Sequence, residues 1–292
     1  MTTSVQTWWS MLCAVSLLNV MAWAMTASSL WRRSTSLNPE TWALMRMQLL
    51  LSAAYVFGCA YRSVLPVFDV RRLCLIDSWL SSVIVGRSVA TIAELCFAAQ
   101  WALISRSIAQ ATDSRIGEKA SQLIFPMIVV AELFSWYAVL TTSNLGHVIE
   151  ESLWGICGLM LAVIYWLALP RTNPGLRPFL ATFSVIGAAY ALYMFAVDVP
   201  MYWTRWTFDN DHGQQFFSLS QGLLDATVRR VVSFQWADWE TEVIWMSLYF
   251  SVAVWISIGL IHLPGRLGSG NFPASMESTG YLSRRKINYL HS

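Results

Sequence analysis

The sequence predicts an all-α, polytopic membrane protein folded as a bundle of seven transmembrane helices. Hydrophobic residues make up 56% of the 292-residue chain and charged residues only 12%, whereas a soluble domain carries about a quarter charged residues. Apolar runs of the roughly 20 residues that a helix needs to cross a membrane recur along the chain. The lipid bilayer is therefore a predicted partner, and the net charge of +2 is too small to indicate nucleic acid.

The apolar segments divide the chain into a helical domain, residues 1–264, and a flexible cytoplasmic tail, residues 265–292, that is rich in Gly, Ser and Pro. No Lys or Arg precedes Arg32, so the first segment is predicted to be an uncleaved helix rather than a signal peptide. The third segment is the longest and is predicted to start at Leu73. We place the seven segments near 8–31, 42–61, 73–104, 122–143, 152–170, 179–201 and 242–263.

Basic residues in the loops predict the orientation, because cytoplasmic loops carry an excess of Lys and Arg. With the N-terminus outside and the C-terminus inside, the outer loops hold six basic residues and the inner side holds eleven: Arg32, Arg33, Arg106, Arg115, Lys119, Arg171, Arg177, Arg266, Arg284, Arg285 and Lys286. Acidic residues concentrate on the outer side. We therefore expect an integral protein of the plasma (inner) membrane in this orientation.

The outer segment before the last membrane helix is too long for a plain connection. Within residues 214–235, apolar side chains recur at helical spacing, at positions 216, 219, 223, 224, 228, 231 and 234. Asp225 and Arg229 stand four residues apart, as in a helical ion pair. This pattern predicts an amphipathic helix lying in the outer membrane interface.

Ionisable residues inside the apolar segments are the main functional signal, because such groups are costly in lipid and usually face the bundle interior in pairs. The stretch VGRSVATIAEL places Arg87, Thr91 and Glu94 on one face of the third segment, with Arg87 near mid-depth. Arg87 and Glu94 lie about 10.5 Å apart along a helix axis. That separation argues against a self-contained pair and predicts partners on other helices, with Glu132 as the partner of Arg87.

The predicted ion- or ligand-binding residues are Arg87, Thr91, Glu94 and Glu132, joined by Asp77 and Asp198 nearer the outer helix ends. Asp77, Asp198 and Glu242 are further predicted to form a shallower cluster with Arg62 or Arg72. A competing interpretation is that the Arg–Glu contacts only fix the register of the helices.

No metal ligand is predicted within the membrane, and no sequence motif identifies a cofactor. The outer motifs HVIEE (His147, Glu150, Glu151) and DNDH (Asp209, Asp211, His212) offer a divalent-cation site as an alternative to solvated acidic loops. The five cysteines are scattered, without metal-binding spacing. A disulfide between Cys59 and Cys74 is not favoured.

Three functions fit these features. The leading hypothesis is a transporter or channel-like protein that moves a proton, ion or small solute through the polar mid-membrane site. The second is a membrane-embedded enzyme that acts on a lipid or quinone-like substrate. The third is a sensor or assembly subunit that binds a partner or forms an oligomer. A retinal pigment is not expected, because Lys119 and Lys286, the only lysines, lie outside the membrane segments.

Overall fold

The structure, a computed structural model, describes residues 4–268 and is dominated by long helices. Seven of its helical spans are long and apolar enough to cross a membrane, which confirms the prediction of an integral membrane protein with a helical bundle. These spans are Ser4–Ser36, Pro39–Val64, Val83–Ala111, Arg115–Thr141, Asn144–Arg171, Arg177–Asp211 and Trp236–Leu260.

The α-helices are named in chain order, and several of them begin at residues that suit a helix start. Asn38 and Ser114 cap α2 and α4 through their side chains. The helices are α1 Ser4–Arg33, α2 Pro39–Val64, α3 Val83–Ala111, α4 Arg115–Thr141, α5 Asn144–Ala168, α6 Arg177–Tyr193, α7 Val199–Asp211, α8 Leu219–Val228, α9 Trp236–Phe250, α10 Val252–Leu260 and α11 Leu263–Gly268.

Two of the membrane spans are interrupted. A π-helical turn, Met194–Asp198, joins α6 to α7. Pro200 follows this turn and lacks the N–H that would continue the hydrogen-bond ladder. Ser251 separates α9 from α10 with backbone angles of φ −119° and ψ −79°. Ser251 lies between two residues that line the central cavity described below, and the π-helical turn lies four residues from the cavity-lining Tyr190 and Tyr202.

The third helix begins ten residues later than predicted, at Val83 rather than Leu73. Leu73–Cys74 instead forms strand β2, which pairs antiparallel with β1 (Val67–Phe68) and parallel with β3 (Val231–Val232). Leu73, Cys74 and Leu75 are apolar because they are buried in and next to this small sheet, not because they face lipid. We call this end of the bundle, which also carries α8, the sheet end.

The predicted amphipathic segment 214–235 is helical only over α8, because β3 occupies its C-terminal part. Ser218 and Gln221 form a capping box at its start, and Asp225 contacts Arg229 at 3.5 Å, as predicted. Gly222 packs on α4 so closely that a Cβ there would lie 1.8 Å from the Leu140 carbonyl oxygen. The apolar residues of α8, Leu219, Leu223, Leu224 and Val228, face outward.

Helices α1 to α6 pack in sequence around the bundle, and α9 and α10 return to pack on α1 and α2. Within the described chain, α6 and α7 do not pack closely against α9 or α10. We call the gap between these two helix pairs the seam. The predicted tail from residue 265 begins inside α11, and residues 269–292 lie outside the described part of the structure.

The end of the bundle opposite the sheet is closed by apolar side chains. Ile104, Ile108, Leu180 and Leu260 belong to a buried cluster that joins α3, α6 and α10. Nearby, the buried Gln100 amide donates to the Gln48 carbonyl at 3.1 Å and accepts from the Ser257 hydroxyl at 2.6 Å. These contacts tie α2, α3 and α10 together on the closed side.

Candidate functional site

A cavity of about 880 Å³ occupies the centre of the bundle. It extends from the sheet end, where Phe68 and Asn144 line it, to Trp101 and Tyr165 in the interior. This volume suits a drug-sized molecule, for which pockets of about 300–1,000 Å³ are usual. Aromatic and aliphatic side chains form most of the wall, and a few charged side chains converge on it.

Four side chains from three helices form the charge cluster, which we define as Arg87, Glu94, Glu132 and Glu150. The Arg87 Nη2 atom donates to Glu132 Oε2 at 2.6 Å and to Glu94 Oε2 at 2.8 Å. It lies 3.6 Å from Glu150 Oε1. Arg87, Glu94 and Glu150 line the cavity, while Glu132 lies behind this wall and is only 2% exposed.

Further polar side chains orient the charge cluster. The Thr91 hydroxyl donates to Glu132 Oε2 at 2.6 Å and accepts from the Trp136 indole at 3.0 Å. The Tyr249 hydroxyl donates to Glu94 Oε1 at 2.9 Å. His147 Nδ1 lies 2.7 Å from Glu150 Oε2. Three of the four charged groups are therefore held by at least one neutral or titratable neighbour outside the cluster.

Local helix geometry explains how these groups meet. Because α3 starts at Val83, Arg87 lies in its second turn and not near the middle of the helix. The long Arg87 side chain runs along the helix and contacts Glu94 two turns later, despite their axial separation. The pair is not self-contained, as predicted, because Glu94 also accepts a hydrogen bond from Tyr249 on another helix. The predicted pairing with Glu132 is confirmed. Gly146 allows α5 to approach α4, since a Cβ there would lie 2.5 Å from the Phe134 carbonyl oxygen.

The charge cluster holds more carboxylates than cations. Oxygens of Glu94, Glu132 and Glu150 all lie within 4.8 Å of one another, and one guanidinium lies among them. Like charges this close in a buried site disfavour full ionisation of all three groups. Glu132 Oε1 and Arg87 Nε are also buried without a hydrogen-bond partner. This arrangement favours holding a proton among the three carboxyl groups.

Other charged side chains line the cavity nearer the sheet end. Arg62 lies 3.6 Å from Asp69, and the Arg205 guanidinium lies 5.4 Å from the centre of the Tyr202 ring. Glu151 lines the cavity and, within residues 4–268, has no hydrogen-bond or ion-pair partner.

Two predicted site residues do not join the charge cluster. Asp77 is exposed and pairs with Arg230 at 2.7 Å, and Asp198 lies in the π turn without lining the cavity. The predicted shallower cluster of Asp77, Asp198 and Glu242 with Arg62 or Arg72 is wrong. Its proposed cations have other partners, since Arg62 lies near Asp69 and the buried Arg72 pairs with Asp225 at 2.8 Å.

The two outer motifs do not assemble into the divalent-cation site offered as an alternative. Asp209 accepts a hydrogen bond from Asn144 at 2.9 Å, and His212 Nδ1 lies 2.9 Å from a carbonyl of its own helix. Among the described residues, the closely spaced carboxylates are Glu94, Glu132 and Glu150. Arg87 already contacts this group, so a metal ion there would compete with the guanidinium.

Sequence analysis missed several residues of the site. Glu150 and His147 were assigned to an outer loop, whereas both lie in α5, which begins at Asn144. The uncharged Tyr249 carried no sequence signal. All five cysteines are free, including Cys59 and Cys74.

Comparison of the chain with protein families, with curated proteins and with solved structures finds no match.

Proposed function

We propose that the protein is a proton-coupled membrane transporter for a small solute. The observation that carries this proposal is the group of three buried carboxylates around Arg87 in the wall of a solute-sized cavity. Intramembrane ionisable groups commonly mark proton relays and substrate pathways. In this account the cavity holds the solute, and Glu94, Glu132 and Glu150 hold the coupling proton.

The geometry suggests how solute and proton affect each other. Arg87 contacts Glu94 and Glu132 closely, and Glu150 is farther away, at 3.6 Å. A solute that draws Arg87 or Glu150 toward the cavity changes which carboxylates the Arg87 guanidinium contacts. This change in contacts alters which carboxylate holds a proton. Proton binding and solute binding then each change the affinity of the other, which is what a coupling free energy between two sites means.

The helix interruptions support a change in access. The cavity opens toward the sheet end and is closed by apolar packing at the other end. Broken helices beside a central site are typical of transporters that expose the site alternately to the two membrane faces. Here the π turn after α6 and the break at Ser251 supply such points.

The membrane placement is part of the same proposal. We infer that the sheet end faces outward across the plasma (inner) membrane, with the N-terminus outside and the C-terminus inside, from the distribution of basic residues. The exposed apolar side chains of α8 suit a helix that lies in the outer interface. Reporter fusions after residue 212 and at the C-terminus test this orientation.

Flux measurements test the proposed function. Purified protein in proteoliposomes is given a pooled panel of amino acids, sugars, amines and aromatic solutes, with and without an imposed pH gradient. We expect at least one solute to accumulate only with the gradient, and Glu132→Gln to abolish this dependence. Glu240→Gln, which alters an exposed residue outside the cavity, is the matched control. Solute accumulation by the wild type that does not depend on the pH gradient would contradict the proposal.

A second function, a membrane-embedded enzyme that acts on a lipid-like substrate, is favoured by the seam. Ile186 of α6 and Val252 of α10 both line the cavity, and both are exposed. A lipid-phase molecule could enter between them. Mass spectrometry of molecules extracted from purified protein tests this candidate, since a chemically altered lipid that depends on Glu94 would favour the enzyme over the transporter.

A further inference from the structure

The part of the cavity around Glu151 differs from the charge cluster because its charge is unmatched. Glu151 lies on α5, one residue after Glu150, and its carboxylate faces the cavity. The cations that line the cavity have anionic or aromatic neighbours: Arg62 has Asp69 and Arg87 has the charge cluster. By contrast, none of the residues from 4 to 268 forms an ion pair or hydrogen bond with Glu151.

Aromatic residues line the cavity together with Glu151. Trp154 follows Glu151 by three residues on α5 and lines the same cavity, since residues three apart share a helix face. Tyr190 of α6 and Tyr202 of α7 also line the cavity. Aromatic faces attract cations, and organic cations are commonly recognised by rings of this kind beside a carboxylate.

We propose that the cavity binds a drug-sized, lipophilic organic cation, with Glu151 as the counter-ion and Trp154 and Tyr190 as the aromatic wall, since the Tyr202 ring already lies beside the Arg205 guanidinium. This inference rests on the proposed transport function and names the chemical class of its solute. The cavity volume of about 880 Å³ accommodates a molecule with several rings. The apolar walls match its hydrocarbon surface, and the unpaired carboxylate matches its charge.

The inference also assigns different tasks to two adjacent glutamates. Glu150 turns toward Arg87 and His147, where it belongs to the proton-holding group. Glu151 turns toward the cavity and interacts electrostatically with Glu150 through their proximity. A bound cation beside Glu151 therefore adds positive charge next to the carboxyl groups around Arg87. This added charge links solute binding to the charge cluster.

Equilibrium dialysis of the full chain in lipid nanodiscs, with empty nanodiscs subtracted, tests the charge preference. The probes are tetraphenylphosphonium and tetraphenylborate, which share size and shape and carry opposite charges. We expect saturable, protein-dependent binding of tetraphenylphosphonium. Glu151→Gln should weaken this binding about tenfold, the effect of losing one desolvated charge contact, and should leave tetraphenylborate binding unchanged or tighter.

Two further variants keep the test decisive. Glu151→Asp retains the charge and should bind the cation more tightly than Glu151→Gln, while Glu240→Gln should match the wild type. Equal binding by wild type and Glu151→Gln, or protein-dependent preference for tetraphenylborate, would overturn the inference.

The binding assay applies no gradient, so it separates this inference from the transport proposal. Binding that depends on Glu151 without any flux would reject transport and keep the cation site. Gradient-dependent flux of other solutes without tetraphenylphosphonium binding would keep transport and reject the organic-cation class.

Discussion

Replacing Arg87 with methionine removes the cation of the charge cluster and keeps a long, unbranched side chain. The carboxylate oxygens lie no more than 4.8 Å apart. At that separation and an effective dielectric constant of about 20, Coulomb's law gives about 3.5 kcal/mol for each pair of like charges, and so about 10 kcal/mol for three ionised carboxylates. Protonating one glutamate at pH 7 costs about 3.7 kcal/mol relative to the free side chain. Without Arg87, the three carboxyl groups therefore hold a proton more firmly than in the wild type rather than bear the full repulsion.

One proton leaves one repelling pair, so the total cost is about 7 kcal/mol before the structure relaxes. Relaxation brings the expected loss of unfolding free energy toward the roughly 3–5 kcal/mol measured when one partner of a buried ion pair is removed. The sign of the pH dependence follows from proton binding. The native variant binds more protons than its unfolded state, so its stability falls as the pH rises, by up to about 1.4 kcal/mol per pH unit for each proton.

The assay is unfolding in mixed micelles of increasing SDS content, followed by tryptophan fluorescence at about pH 5 and about pH 7. The matched control is Arg229→Met, which removes a half-exposed arginine that lies 3.5 Å from Asp225 and should cost less than about 1 kcal/mol. A loss below about 1 kcal/mol for Arg87→Met, with no pH dependence, would refute the buried charge cluster.

Three other outcomes are expected. Gly146→Ala forces α5 away from α4 at the Phe134 carbonyl, so it should cost about 1–3 kcal/mol and reduce gradient-dependent flux, whereas unchanged flux would contradict the role of this contact. Gly222→Ala should release α8 from the bundle and make its peptide bonds accessible to protease, which normal protease resistance would disprove. Without reductant, the denatured protein should take up five maleimide groups. In the native state, burial and the nearby Asp77 raise the pKa of the Cys74 thiol. The rate of Cys74 labelling should therefore keep increasing as the pH rises through and above 9.

Much of the fold follows from apolar periodicity, because long membrane helices must bury their backbone hydrogen bonds within the chain. The start of α3 does not follow from it. Leu73 and Cys74 are as apolar as lipid-facing residues, yet they form the buried middle strand of a sheet whose third strand comes from residues 231–232. Local hydropathy carries no information about that distant pairing.

The charge cluster was predictable in part. Helical spacing placed Arg87, Thr91 and Glu94 on one face, and burial cost required a partner such as Glu132. The contribution of Glu150 was not predictable, because it depends on where α5 begins and on how closely Gly146 lets it approach α4. The reach of the Arg87 side chain along its own helix was also underestimated, since spacing along the axis ignores side-chain length.

The central claim is that the carboxyl groups around Arg87 couple a proton to solute movement. The most direct measurement is pH change inside proteoliposomes, reported by an entrapped dye, when a transported solute from the pooled panel is added without an initial pH gradient. We predict solute-dependent proton movement with wild type and Glu240→Gln, and none with Glu132→Gln despite intact folding. Solute flux without proton movement in the wild type, or unchanged proton movement in Glu132→Gln, would contradict the account.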